Sequence, residues 1–138
     1  MCAQAAVTFA IKSWDESAIE DFEKGEEVEQ GPTIRRAVVT KTYRGDLEGE
    51  GEVVYQMLGR ADGSAVFLGF EVVTGSLNGK SGSFVFEHRG TFEDGAVKSV
   101  WRVVPGAATG KLSGLRGEVA FAAGHQDDYQ ITFDYDFE

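Results

Sequence analysis

Apolar and polar residues alternate along most of the chain, a pattern typical of strands with one buried face and one solvated face. Val7, Phe9 and Ile11 alternate with polar or small residues and predict a first strand that reaches about Trp14. After Pro32 the same alternation predicts seven more strands, over residues 33–44, 50–60, 64–75, 80–93, 96–105, 116–123 and 129–137. The pattern therefore predicts eight strands and no long helix.

Three dipeptides between these strands have the composition of tight hairpin turns: Asp62-Gly63, Asn78-Gly79 and Asp94-Gly95. Asp-Gly and Asn-Gly are strong hairpin signals because both positions of the turn require positive φ. Hairpins make consecutive strands antiparallel neighbours, and closing the sheet removes its exposed edges. We expect an all-β fold, an eight-stranded antiparallel up-and-down β-barrel that occupies residues 1–138 as one domain.

Residues 15–31 interrupt the alternation and contain eight acidic residues against one basic residue, Lys24. A charge run of this kind predicts an acidic, solvated connecting loop after the first strand. An alternative interpretation is a lid, in which Ile19 and Phe22 dock over an opening of the barrel.

The formal net charge of -10 narrows the range of partners. Nucleic acids and anionic lipid surfaces both require clustered basic residues, so we expect neither as a partner. The sequence contains no apolar run long enough for a membrane span. Cys2 is the only cysteine, which excludes an internal disulfide and favours a cytoplasmic protein. We expect no metal and no other cofactor.

Two-residue turns fix a register that places one residue from each of four strands side by side: Gln56, Gly69, His88 and Trp101. On the opposite face Glu87 lies across from Arg102, and such a charge pair is typical of an outer wall. The face that carries His88 should therefore point into the barrel, together with Phe67 and Phe86. One residue of slip in any turn would reverse the assignment for that strand.

The same register predicts an apolar stripe on the outer wall, formed by Tyr55, Met57, Val66, Leu68, Phe70 and Val72. An exposed apolar stripe favours self-association.

Glu71 and His88 are diagonal neighbours in this register, with Cβ atoms about 7–8 Å apart. A carboxylate and an imidazole in an aromatic cavity have the residue types of a general acid–base pair. They are the candidate catalytic residues, and the candidate ligand-binding residues around them are Gln56, Phe67, Phe86 and Trp101. The alternative is a buried polar pair with only a structural role.

Several motifs together resemble a bacterial family of uncharacterised proteins. They are the segments 41–50, 69–84, 87–92 and 101–106, the loop 109–117 and the opening Lys12-Ser13-Trp14-Asp15. The Gly114-Leu115-Arg116-Gly117 turn is similar to a turn of dirigent proteins. The resemblance implies a barrel like that of allene oxide cyclase, with a central cavity and a homo-oligomeric assembly, and it carries over no catalytic residue.

Three functions agree with these features. The first is binding of a small apolar or aromatic molecule in the barrel. The second is a cofactor-free isomerase or cyclase that acts on a small hydrophobic substrate, with Glu71 and His88 as the acid–base pair. The third is a structural module that assembles through the outer stripe.

Overall fold

The structure, a computed structural model, describes residues 3–21 and 32–138. Nine strands follow one another along the chain: β1 (Ala3–Asp21), β2 (Thr33–Gly45), β3 (Leu47–Gly59), β4 (Ala65–Leu77), β5 (Lys80–Glu93), β6 (Ala96–Val103), β7 (Thr109–Gly110), β8 (Leu115–Ala123) and β9 (Tyr129–Phe137). Within the described residues, no helix is long and apolar enough to cross a membrane.

Eight of the strands form one closed antiparallel ring. Strands β1 to β6 pair in succession along the chain. β6 then pairs with β8, β8 pairs with β9, and β9 pairs with β1 to close the barrel. The short β7 lies outside this ring and pairs only with the start of β5, where Gly110 is opposite Gly82. The predicted all-β, eight-stranded antiparallel barrel is confirmed, with one additional strand.

The first strand is longer than the alternation predicted. Residues 15–21, expected in the acidic loop, continue β1 and pair with β2, so that Asp15 is opposite Val38 and Asp21 is opposite Thr33. The acidic side chains of Asp15 and Glu16 are tolerated in the strand because both are exposed and because Glu16 forms an ion pair with Arg35. The proposed lid contacts of Ile19 and Phe22 lie outside the part of the chain whose side chains the structure describes.

Two of the three predicted turns have the expected geometry. Asn78 and Gly79 have φ values of 47° and 85°, and Asp94 and Gly95 have 53° and 76°. These turns place His88 opposite both Gly69 and Trp101, as the register predicted.

The third turn is different and corrects the register of β3. The connection runs from Arg60 to Ser64, because Asp62 accepts hydrogen bonds from the backbone N–H and the hydroxyl of Ser64. Gly69 is therefore opposite Tyr55 rather than Gln56. The prediction that Gln56 points into the barrel is wrong: its side chain is exposed on the outer wall.

The same shift changes the composition of the outer stripe. Tyr55 and Met57 point inward, while Leu68, Phe70 and Val72 of β4 remain on the outer wall with exposed fractions of 48%, 55% and 50%. We refer to these three residues as the β4 stripe. On β3 the exposed Val54 and Leu58 take the places of Tyr55 and Met57, so an apolar outer surface is present but its composition differs from the prediction.

The interior differs between the two ends of the barrel. The lower end, where β4 turns into β5 at Asn78-Gly79, is filled by apolar side chains, and Leu112 from the segment between β7 and β8 is fully buried there. This lower core consists mainly of Leu47, Val73, Leu77, Phe84, Phe86, Val103, Leu112, Leu115, Val119 and Phe133. The upper end, where β5 turns into β6 at Asp94-Gly95, contains a cavity.

Candidate functional site

Four polar side chains meet at the middle of the barrel, and we call them the polar cluster: Lys41, Tyr43, Glu71 and His88. The Glu71 carboxylate is at the centre. Tyr43 donates a hydrogen bond to Oε2 over 2.6 Å, His88 Nε2 lies 2.7 Å from Oε1, and Lys41 Nζ lies 3.3 Å from the same oxygen. Buried charges require partners of this kind, because an isolated ion in an apolar interior is strongly unfavourable.

Strand alternation explains how these residues come together. Lys41 and Tyr43 follow Val39 on the inward face of β2, and Glu71 precedes Val73 on the inward face of β4. Gly51 on the intervening β3 provides the space for the carboxylate, since a Cβ at this position would lie 2.0 Å from Glu71 Oε2. The polar cluster therefore depends on a residue without a side chain.

The surroundings determine the charge of each group. Burial alone would raise the pKa of Glu71, but the Lys41 ammonium and the hydrogen bonds from His88 and Tyr43 lower it to about 2. Burial lowers the pKa of Lys41, and the Glu71 carboxylate opposes that effect. Burial and the Lys41 charge lower the pKa of His88. At neutral pH the cluster therefore contains one anion, one cation and a neutral imidazole.

The ionised carboxylate also fixes the tautomer of His88. A carboxylate only accepts hydrogen bonds, so Nε2 of the neutral imidazole carries the proton, and this N–H donates a hydrogen bond to Glu71. Nδ1 then carries the lone pair, and it has no hydrogen-bond partner among the described residues.

The Lys41 ammonium is held between aromatic rings as well as by Glu71. Its Nζ atom lies 4.2 Å from the ring centre of Trp101 and 4.8 Å from that of Phe9. Such cation–π contacts compensate for part of the hydration that a buried ammonium loses.

A cavity of about 730 Å³ fills the upper half of the barrel, above the polar cluster. Its wall is largely aromatic and aliphatic, and its mouth lies among the strand ends and loops of the upper end. The residues that line it include Phe9, Ile11, Trp14, Val39, Lys41, Tyr55, Met57, Ala65, Phe67, Phe92, Val97, Ser99, Trp101, Phe121, Ala123, His125, Asp127 and Tyr129.

Lys41, Tyr55 and Trp101 form the boundary between the cavity and the deeper pair of Glu71 and His88. All three line the cavity, and the rings of Tyr55 and Trp101 lie 5.5 Å and 4.6 Å from the imidazole of His88. Glu71 and His88 themselves are fully buried. The cavity therefore meets the polar cluster at Lys41.

The structure distributes the predicted site residues over four places. Glu71 and His88 are in direct contact in the polar cluster, and Phe67 and Trp101 line the cavity. Phe86 belongs to the lower core, where its ring contacts Phe84 and Trp101 edge-on at 5.0 Å and 5.5 Å. Gln56, which was predicted to bind the ligand, lies on the outer wall and is not part of the site.

Sequence reasoning missed Lys41, Tyr43 and Tyr55. The signal for Lys41 was its position in phase with the buried Val39, which places a charged side chain on an inward face. Tyr55 was assigned to the outer wall because of the one-residue error in β3. With respect to metals, the described residues contain no group of three or more His, Cys, Asp or Glu side chains that could hold an ion.

Comparisons with known proteins agree with the fold. A family model described as "Protein of unknown function (DUF3224)" matches residues 5–135. A crystal structure of a DUF3224 protein of unknown function from Shewanella oneidensis MR-1 is 27% identical and has a TM-score of 0.78. The match covers 100% of this chain and 99% of that one. A comparison with curated proteins gives no match.

Proposed function

The chain belongs to the DUF3224 family, and from the geometry of its barrel we propose that it binds one small apolar or aromatic molecule in the upper cavity. The observation that carries this proposal is the cavity of about 730 Å³ with a largely apolar wall. Ligand cavities in proteins commonly enclose about 300–1,000 Å³ and combine apolar walls with a few polar groups.

The aromatic wall supports an aromatic or flat apolar ligand. Phe9, Phe121 and Tyr129 form a continuous group of rings whose centres are 4.9–5.6 Å apart. Offset and edge-to-face contacts of this kind can extend to a further ring placed in the cavity.

Binding is favoured over catalysis by the position of the acid–base pair. A general acid or base must come within hydrogen-bond distance of the reacting group, directly or through one water. Glu71 and His88 are fully buried, with Lys41, Tyr55 and Trp101 between them and the cavity. Turnover by this pair would require these three side chains to move.

A neutral fluorescent probe, N-phenyl-1-naphthylamine, tests the proposal by titration and displacement. Ala123 lines the cavity, and we expect Ala123→Phe to fill it and to weaken probe binding about tenfold or more. The neighbouring Ala122→Phe is the matched control, because Ala122 is exposed on the outside of β8 and the change should leave binding intact. Absence of saturable binding, or equal losses in both variants, would overturn the proposal.

We also propose that copies of the chain associate through the outer wall. The β4 stripe supports this proposal, since its three large apolar side chains lie next to one another on one exposed face.

A further inference from the structure

We propose that the ligand of the upper cavity carries an uncharged hydrogen-bond acceptor, such as a ketone or amide carbonyl, which binds Lys41 and Ser99 at the cavity floor. This inference rests on the proposed function and specifies the chemical class of the ligand.

The floor of the cavity offers hydrogen-bond donors. Lys41 has three N–H bonds, and Glu71 Oε1 is the acceptor of one of them. The Ser99 hydroxyl accepts a hydrogen bond from Trp101 Nε1 over 2.9 Å, which leaves its own hydrogen for donation. Both side chains line the cavity, so an acceptor atom of a ligand would meet two donors there.

The charge balance of the polar cluster favours a neutral acceptor over an anion. The Lys41 ammonium is already balanced by the Glu71 carboxylate at 3.3 Å, and His88 faces the same carboxylate as a neutral imidazole. A ligand carboxylate would add a net negative charge to a largely apolar space, where the loss of its hydration is unfavourable. A carbonyl oxygen avoids this penalty and still accepts a hydrogen bond from the ammonium.

The mouth of the cavity adds to this selectivity. Asp127 lines the cavity near His125, and the chain as a whole has a net charge of -10. An approaching anion would be repelled by this field. A cationic ligand would instead be repelled by the Lys41 ammonium at the floor. A neutral ligand is therefore the one that is disfavoured at neither end of the cavity.

Three naphthalene derivatives of similar size and shape separate these classes: 2-ethylnaphthalene, 2-acetylnaphthalene and 2-naphthoate. Their affinities for the full chain are measured by displacement of N-phenyl-1-naphthylamine. We expect the ketone to bind about tenfold or more tightly than the hydrocarbon, because a hydrogen bond to a charged donor contributes more than a neutral one. We expect the carboxylate to bind more weakly than the ketone.

The double variant Lys41→Met/Glu71→Gln removes the charged donor together with its counter-charge, so that no unpaired ion is left in the polar cluster. In this variant the ketone should lose most of its advantage over the hydrocarbon, because Ser99 is the donor that remains, while the hydrocarbon should keep its wild-type affinity. The comparison of the three ligands on the wild-type chain decides the question even if the variant does not fold.

The outcomes distinguish the inference from the function on which it rests. Equal affinities of ketone and hydrocarbon, or tightest binding of 2-naphthoate, overturn the neutral-acceptor class while leaving ligand binding in place. Failure of all three compounds to displace the probe overturns both.

Discussion

Glu71 is the residue on which the polar cluster depends, because three side chains donate to its carboxylate. Removing one partner of a buried, hydrogen-bonded charge is more damaging than replacing the whole group by neutral side chains, since the remaining charge is left without compensation. The two charged residues of the cluster, Lys41 and Glu71, should therefore be replaced together rather than singly.

His88 makes the stability of the protein depend on pH. Its pKa in the folded chain is lowered from 6.5 by burial and by the Lys41 charge, so the unfolded chain binds a proton that the folded chain excludes. The free energy of unfolding must then fall as the pH decreases below about 6.5, by up to about 1.4 kcal/mol per pH unit from this residue.

The variant His88→Gln isolates this contribution. The Gln side chain can still donate a hydrogen bond to Glu71, but it does not titrate. We expect urea unfolding between pH 7 and pH 5 to show a smaller loss of stability in His88→Gln than in the wild-type chain. His125 is present in both chains, so a difference in slope between them comes from position 88. An unchanged slope in His88→Gln would contradict the neutral imidazole.

At the level of the strands, the register of β3 places two adjacent residues on opposite faces of the barrel wall. Tyr55 is buried opposite Gly69, and Gln56 is exposed opposite Leu68. We expect Tyr55→Ala to lower the free energy of unfolding by about 3–5 kcal/mol, as for other large aromatic truncations. Gln56→Ala should change it by less than about 0.5 kcal/mol. Chemical denaturation measures both, and the reverse order would contradict the register.

The turns explain how much of this arrangement the sequence predicts. Asn78-Gly79 and Asp94-Gly95 specify the turn through their own backbone preferences, so the positions of Glu71, His88 and Trp101 relative to one another follow from the sequence. The Asp62-Gly63 dipeptide is the same in composition, but the side chain of Asp62 binds Ser64 and lengthens the connection. Its conformation is set by that side-chain interaction.

The contacts of Lys41 and Tyr43 with Glu71 could not be predicted from the sequence, for a related reason. The turn between β2 and β3 at Asp46 is stabilised by β1: Ala6 N–H donates to the Asp46 carboxylate, and Asp46 N–H donates to the Ala6 carbonyl. Contacts between residues so far apart in sequence have no local signature. The position of β2 relative to Glu71 therefore required the structure.

At the level of the whole molecule, the β4 stripe predicts a concentration-dependent association. We expect sedimentation equilibrium to show a species larger than 15.0 kDa, and Phe70→Glu should shift it toward the monomer because it places a charge in the apolar contact. Thr132→Glu, at an exposed position on the outer wall of β9 and away from β4, is the control and should leave association unchanged. A wild-type chain that is monomeric at all concentrations would contradict the prediction.

The division of the barrel interior into a packed lower core and an open upper cavity has a consequence for how such proteins diversify. The lower core and the polar cluster hold the ring of strands together, whereas Ala65, Val97 and Ala123 line the space above it and belong to neither buried core cluster. Substitutions at these three positions can therefore accumulate at little loss of foldability. One scaffold can thus change the size and shape of its upper cavity by mutation while the ring of strands stays intact.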